Sequence, residues 1–306
     1  MRARLANCLH HLAIYVRGVA MGAADIVPGV SGGTIAFVTG IYPRLIKSLT
    51  AVDFKSARML LRFDVKKLWQ RFDGAFLIVL FAGILSAIFS LAHFISYLLD
   101  THPILIWSVF FGLIAASAVT LLVREGVYRL STVVSFFLGM ALVLLISTMS
   151  AHQLSPSLPM VYLVGVIAIS AMLLPGLSGS FLLLLFGMYE PTLEAVKNLD
   201  GAYLLSFALG AITGLISFSH LISWLLRHHY GTTLMFLIGL LFGSLYAVWP
   251  WRAFYDDNRA VWPSDFAIIS DPMILPALAC MILAVVAVLI IEYLASKFSV
   301  SQEHNE

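Results

Sequence analysis

The sequence predicts an all-α polytopic membrane protein made of two inverted repeats, and three observations carry that expectation. Composition is the first: 61% of the 306 residues are hydrophobic, 11% are charged and the mean hydropathy is +0.97, whereas a soluble domain carries about 25% charged residues. The second is the recurrence of apolar runs about 20 residues long, the length that a hydrocarbon core about 30 Å thick demands of a helix. The third is self-similarity. "GAFLIVLFAGILSAIFSLAHFISYLL" (74–99) lies ungapped over "GAYLLSFALGAITGLISFSHLISWLL" (201–226), placing Gly74, Gly83, Ser90, His93 and Ser96 on Gly201, Gly210, Ser217, His220 and Ser223. The same register matches Gly112 with Gly239 and Ser117 with Ser244, and upstream "PGVSGGTIAFVTGIY" (28–42) lies over "PGLSGSFLLLLFGMY" (175–189). Shared apolar composition scatters matches, but it does not put Gly, Ser, His, Pro and Tyr in one register.

Taken in order, the first repeat covers 1–156. It opens with a segment of about 5–49 broken at Pro28-Gly29, continues through a polar and basic insert at 50–73, and ends with spans at 74–99, 103–123 and 130–150. The second repeat, 157–306, has a broken segment of about 158–196 and spans at 201–226, 231–249 and 273–295. The spans are expected to be helices rather than barrel strands, because the apolar runs are continuous instead of alternating. After each Pro-Gly, only about a dozen strongly apolar residues follow (Thr34–Ile46 and Phe181–Tyr189). That is short for a full span and suits a re-entrant helix. The 50–73 insert is suited to lie along anionic lipid. Arg17 interrupts what would be the apolar core of a cleaved signal peptide, so the N-terminus reads as part of the protein.

The charges set an orientation. If each Pro-Gly unit enters and leaves on one side, Arg2, Arg4, the eight basic residues of 44–73, Arg124, Arg129, Arg227 and Lys297 share a face. The opposite face keeps Lys197, Arg252 and Arg259 beside Asp256, Asp257, Asp265 and Asp271. The positive-inside tendency then makes both termini cytoplasmic. Each half crosses an odd number of times, so the second is inserted upside down relative to the first, as in many secondary transporters.

The twice-broken pattern points to an anion site. Proline lacks an N–H and glycine tolerates positive φ, so the pair makes a tight tip between half-helices, tolerable at membrane depth only when buried in protein or lining a wet cavity. Ser31 and Ser178 are good N-cap residues. Gly32 and Gly33 in one tip, and Gly179 and small Ser180 in the other, leave first-turn amides uncovered, and Gly29, Thr34 and Gly176 beside them are further candidate substrate-binding residues. Bare amides at a helix N-terminus attract anions, phosphate above all. One such end from each side would form a cradle near the midplane. The alternative is that the glycines serve close helix packing.

At these residues the chain resembles a known family. "MGAADIVPGVSGGTIAFVTGIYPRLI" (21–46) and "LLPGLSGSFLLLLFGMYEP" (173–191) look like the bacterial polyprenyl-phosphate transporters, the PopT-like family. The resemblance implies a multi-pass protein of the bacterial inner membrane that returns undecaprenyl phosphate from the outer to the cytoplasmic leaflet, where this carrier lipid is recycled for envelope and peptidoglycan synthesis. A polyprenyl-pyrophosphate phosphatase of the bacitracin-resistance type carries a similar motif with Ser-Arg-Ser after Pro-Gly-x. Here those places read Ser31-Gly32-Gly33 and Ser178-Gly179-Ser180, without the arginine that would neutralise a reacting phosphate, so the expectation is a transporter and not an enzyme. An anion channel is the other alternative, since half-helix ends also suit chloride.

Asp25, three residues before Pro28, is expected to be the deepest carboxylate. It would repel phosphate unless protonated or bound to a cation, which makes it a candidate site for proton or sodium coupling; a cap at the hairpin tip is the structural account. Its counterpart in the repeat is Met172. Arg17 is either a snorkelling residue or a phosphate relay. His93 and His220 suit packing or interfacial hydrogen bonding, and Glu190 and Glu194 the outer interface. Cys8 and Cys280 share no motif spacing. The expected partners are the polyprenyl phosphate and membrane lipids, with no metal, cofactor or nucleic acid.

Overall fold

Where the sequence runs continuously apolar, the chain is helical. The computed structural model describes residues 2–27, 30–125, 129–149, 155–253, 259–268 and 270–303; the Pro28-Gly29 pair, 151–154, Asp256 and Asp257 lie outside the described residues. The first half forms α1 (Arg2–Ile26), α2 (Gly32–Val38), α3 (Tyr42–Leu49), α4 (Phe54–Leu61), α5 (Val65–Arg71), α6 (Gly74–Thr101), α7 (Pro103–Glu125) and α8 (Leu130–Thr148). The second forms α9 (Leu158–Leu173), α10 (Gly179–Leu185), α11 (Tyr189–Lys197), α12 (Gly201–His228) and α13 (Tyr230–Ala247). It continues through a short antiparallel hairpin of β1 (Arg252–Ala253) and β2 (Arg259–Ala260), then α14 (Pro263–Phe266) and α15 (Ile274–Glu303).

Among the described residues, five helices, α6, α7, α8, α12 and α13, are long and apolar enough to cross a membrane. The apolar stretches Leu158–Leu173 of α9 and Ile274–Ile290 of α15 are shorter. Large side chains such as Phe81, Phe89, Leu205, Ile212, Leu275 and Leu283 are exposed, an apolar surface that water would penalise and lipid does not. The most enclosed helix is α13, with 56% of its apolar window buried against 22–39% in the other four, which places it at the centre of the bundle. The 50–73 insert forms the short helices α4 and α5, with Phe63 and Val65 exposed between and beside them, and its Arg71 pairs with Asp53.

The helices pair through glycine. In α1 and α6, Gly18 faces the Leu80 carbonyl and Gly83 the Tyr15 carbonyl; in α9 and α12, Gly165 faces the Phe207 carbonyl and Gly210 that of Tyr162. Gly139 of α8 and Gly239 of α13 face the carbonyls of Phe236 and Phe136, and Gly112 of α7 faces that of Met281 in α15. A side-chain carbon at any of these would collide with backbone, so only glycine permits the approach, as is usual where helices pack without a hydrophobic drive between them. The matched pairs Gly83 and Gly210, and Gly112 and Gly239, are therefore contact points. The pairing also follows the repeat: α1–α6 corresponds to α9–α12, and α8–α13 to α15–α7. The third long helix of each half thus packs on the second long helix of the other.

Backbone geometry repeats as well. A single residue turns the first long helix beyond each break into the second, His102 at φ −137°, ψ 51° between α6 and α7 and His229 at φ −135°, ψ 47° between α12 and α13. Each short helix after a break ends at a glycine in the left-handed region, Gly40 (φ 74°) and Gly187 (φ 65°). The following amides, Ile41 and Met188, then reach back to the Ala36 and Leu183 carbonyls at 3.0 and 2.8 Å, the hydrogen bond that closes a Schellman-type helix end.

Gly239→Val and Gly210→Val are expected to lower stability by about 1–3 kcal/mol each through overpacking. Gly201→Ala, with nothing near the added carbon, is expected to leave it unchanged. Unfolding midpoints of the three purified variants check this.

Candidate functional site

Two helices stop short, and their broken tips interlock. At the first break the amide of Val27 reaches the Ala24 carbonyl at 3.0 Å and that of Val30 reaches the Val27 carbonyl at 3.1 Å. Ser31, extended at φ −123°, ψ 137°, accepts the Gly33 amide on its hydroxyl at 3.1 Å. Asp25 folds back across the gap and accepts the Gly32 amide on Oδ1 at 2.6 Å. Its carboxylate occupies the space a Gly32 side chain would need, because an added carbon there would lie 2.5 Å from Oδ2. The amides at the start of α2 are thus already taken, which differs from the uncovered pair expected from sequence. The physical reason is Asp25 itself, since a carboxylate seven residues back can cap a helix across a break but not across a straight turn.

The second tip is held against the first. Ser31 donates its hydroxyl to the Met172 carbonyl at 3.2 Å, and Thr34 accepts the Gly176 amide on Oγ1 at 2.8 Å. Gly33 lies against the same Met172 carbonyl, where an added carbon would sit at 2.5 Å, so its smallness serves contact between the tips. Gly176 turns at φ 86° beneath the Leu240 carbonyl of the central α13, a conformation L side chains resist. Ser178 occupies the N-cap position of α10 but does not cap it; its hydroxyl pairs with that of Ser180 at 2.8 Å. The second tip therefore presents first-turn amides without an intrahelical acceptor and without a side-chain cap.

A cavity of about 270 Å³ opens there, lined by Asp25, Ser178, Gly179 and Ser180 together with Gly165, Ala168, Ile169 and Met172 of α9, Leu183 of α10, and Phe207 and Ala211 of α12. Of the residues singled out from sequence, Asp25, Ser178, Gly179 and Ser180 meet in this cavity. Ser31, Gly32, Gly33, Thr34 and Gly176 build the interlock beside it, and Gly29 lies outside the described residues. Arg17 does not line it: the side chain is half-buried two turns back along α1, towards the end where Arg44 bonds Asp73 at 2.6 Å and approaches His10 at 3.3 Å. The hydrogen bond from Arg44 holds the Asp73 carboxyl below the usual range. His93 is exposed, while Nδ1 of His220 lies 2.8 Å from the Ile216 carbonyl of its own helix.

Phe207, Ala211 and Gly165 were not singled out in advance, since an apolar side chain within a span carries no chemical signal; the small residues at 165 and 211 were the available clue. Among the described residues no three His, Cys, Asp or Glu side chains gather as a metal site. The cavity lining holds one carboxylate, two hydroxyls and no basic side chain. An anion entering it is met by α10 amides and hydroxyls, and meets repulsion from Asp25 unless that carboxylate is neutralised.

These features define a polytopic helical membrane protein in which two broken helices wall a largely apolar cavity that holds the polar side chains of Asp25, Ser178 and Ser180. The chain belongs to the undecaprenyl phosphate translocase-like family, whose model matches residues 21–260. A protein of Vibrio cholerae serotype O1 named polyprenyl-phosphate transporter is 46% identical over 244 residues, 80% of this chain and 79% of the relative. A Staphylococcus aureus protein of the same name is 36% identical over 254 residues, 77% of this chain and 85% of the relative. No solved structure matches the chain.

Thr34→Val keeps the shape of the side chain but strands the buried Gly176 amide, and is expected to cost about 1–3 kcal/mol of stability. Asp25→Ala, which uncaps α2, is expected to cost about 1 kcal/mol, whereas Asp25→Asn retains the accepting oxygen and should unfold with the parent. Thermal unfolding in detergent separates the three.

Proposed function

We propose that the protein transports polyprenyl phosphate, undecaprenyl phosphate in a bacterial inner membrane, from the outer to the cytoplasmic leaflet, returning the carrier lipid to cell-envelope synthesis. The observation that carries this is the cavity joining Asp25 of one half to the uncapped Ser178–Ser180 end of the other. Family membership and the names of the relatives support the lipid. An isoprenoid tail needs no passage through water, so the phosphate head alone must be carried, and a charge in hydrocarbon costs several kcal/mol or more. Amides and hydroxyls replace its water without a guanidinium or ammonium that would hold it too tightly to release.

In this reading the two halves are inverted repeats, and α2–α3 and α10–α11 are the returning arms of re-entrant hairpins whose tips meet near mid-bilayer. Both termini and the α3–α5 segment face the cytoplasm. The density of basic residues between 44 and 73 supports that orientation. Asp25 is the coupling group: the lipid phosphate and the charged carboxylate disfavour one another, so entry of the head is linked to uptake of a proton or a sodium ion. A phosphatase would need positive charge on its reacting phosphoryl group, and the lining residues supply none.

Two measurements test this. Single cysteines at 66 and 156, probed with an impermeant reagent in intact cells, are expected to label from opposite faces; labelling from one face would end the inverted arrangement. In proteoliposomes carrying labelled polyprenyl phosphate, the parent is expected to accumulate lipid under an imposed pH or sodium gradient. Asp25→Asn should bind the lipid as well as the parent or better, and lose the gradient response. An Asp25→Asn protein that follows the gradient like the parent would remove Asp25 from coupling.

A further inference from the structure

A second cavity, about 400 Å³, lies apart from the first at the C-terminal end of α13. Its walls are Phe111 of α7, Leu245 and Tyr246 of α13, Trp249 just beyond it, and Val261 and Trp262 after β2. Trp249 anchors the wall. Its ring lies edge-on to Phe111 and Trp251, both at 5.4 Å between centroids, and to Trp262 at 6.3 Å, while its Nε1 donates to the Val261 carbonyl at 2.8 Å. Trp251, 3% exposed, donates its Nε1 to the Pro272 carbonyl at 2.8 Å. Trp262 is 70% exposed at the mouth. Arg252 donates from Nη1 to the Ala247 carbonyl at 2.6 Å and stands over the ring of Tyr246, 5.9 Å from its centroid.

We propose that this pocket is a loading site for the isoprenoid chain of a polyprenyl phosphate, with Arg252 facing the phosphate end; the proposal rests on the transport reading above and adds a second binding site to it. Four observations carry it. The volume falls within the roughly 300–1,000 Å³ that small-ligand pockets occupy. Placement is the second: Phe111 is eight residues, about 12 Å, into α7 from the His102 corner, and Trp251 packs with Ile104 at that same end. This is the far end of α6 from α5, so the pocket lies at the end of the long helices opposite the basic helices.

Third, the aromatic wall is an addition to the repeat. In the register that pairs Gly112 with Gly239, Tyr246 falls on Val119 and Trp249 on Leu122. Neither Val119 nor Leu122 is aromatic, so the wall is not required by the shared register. Fourth, the indole N–H groups of Trp249 and Trp251 are turned to protein carbonyls. Interfacial anchors instead present their polar edges to head groups and water, so these rings build a rigid wall rather than a membrane belt. Branched, unsaturated chains meet flat polarisable faces well, and an anionic end beside a guanidinium supplies charge complementarity.

The test uses the full chain in nanodiscs with a farnesyl phosphate bearing a terminal diazirine. After illumination, adducts mapped by mass spectrometry are expected on Tyr246, Trp249 or Trp262, and geranylgeranyl phosphate should compete while inorganic phosphate should not. Trp262→Ala, an exposed and foldable change, is expected to weaken labelling about two- to ten-fold. Arg252→Gln should abolish the preference for geranylgeranyl phosphate over geranylgeraniol as competitor. Adducts spread over the lipid-facing helices, or labelling that both variants leave unchanged, would overturn the pocket; transport in proteoliposomes of the same preparation would then leave the proposed function standing. Labelling in the pocket without any transport would keep the pocket and overturn the function.

Discussion

A break in a buried helix leaves backbone amides and carbonyls with no water to turn to, and each such group left unpaired costs several kcal/mol. Here that constraint is met by joining the two breaks to one another. The Gly176 amide finds Thr34, the Met172 carbonyl finds the Ser31 hydroxyl, and the Gly32 amide finds Asp25. None of these partners is in the next turn of its own helix, so neither break is satisfied without the rest of the fold. The glycine-lined pairs of long helices hold the tips in register, and α13, beneath Gly176, closes the junction from below.

The two tips are not equivalent, although both carry Pro-Gly-x-Ser-Gly. The first is closed by Asp25 and Ser31. The second, with Met172 where the first has Asp25, has no carboxylate to cap it, and its serine hydroxyls bond one another. The cavity opens on the second tip with the carboxylate of the first as its acidic wall. Polar groups converge there from both halves, which makes the site a property of the junction and not of either repeat. The same division between shared frame and unshared detail recurs at the aromatic pocket, where Trp249 and Trp251 stand in the places of Leu122 and Arg124.

Much of the fold was legible in advance. Apolar runs of span length located α6, α7, α8, α12 and α13 within a few residues, since a hydrocarbon core leaves the backbone little choice but helix, whereas α15 runs to Glu303, past the expected end at 295. The matched Gly83 and Gly210, and Gly112 and Gly239, marked the helix contacts, because no other residue allows a backbone to approach a neighbouring carbonyl so closely. The expectation for Gly32 and Gly33 was incomplete for a related reason. Glycine in a sequence signals closeness without naming the neighbour, and the neighbours proved to be Asp25 and the Met172 carbonyl in place of open space.

The sequence by itself determined that this chain lives in lipid, that its halves repeat, and that each half is interrupted at a Pro-Gly tip; these follow from hydropathy, register and the two residues least able to continue a helix. Only the tertiary structure decided which amides remain available, which of the singled-out residues share a cavity, and that Phe207 and Ala211 join them. Those outcomes depend on contacts such as Thr34 with Gly176, separated by 142 residues. Hydrogen bonds that close a broken backbone are chosen by proximity in space, and a local pattern of residue types holds no record of that proximity.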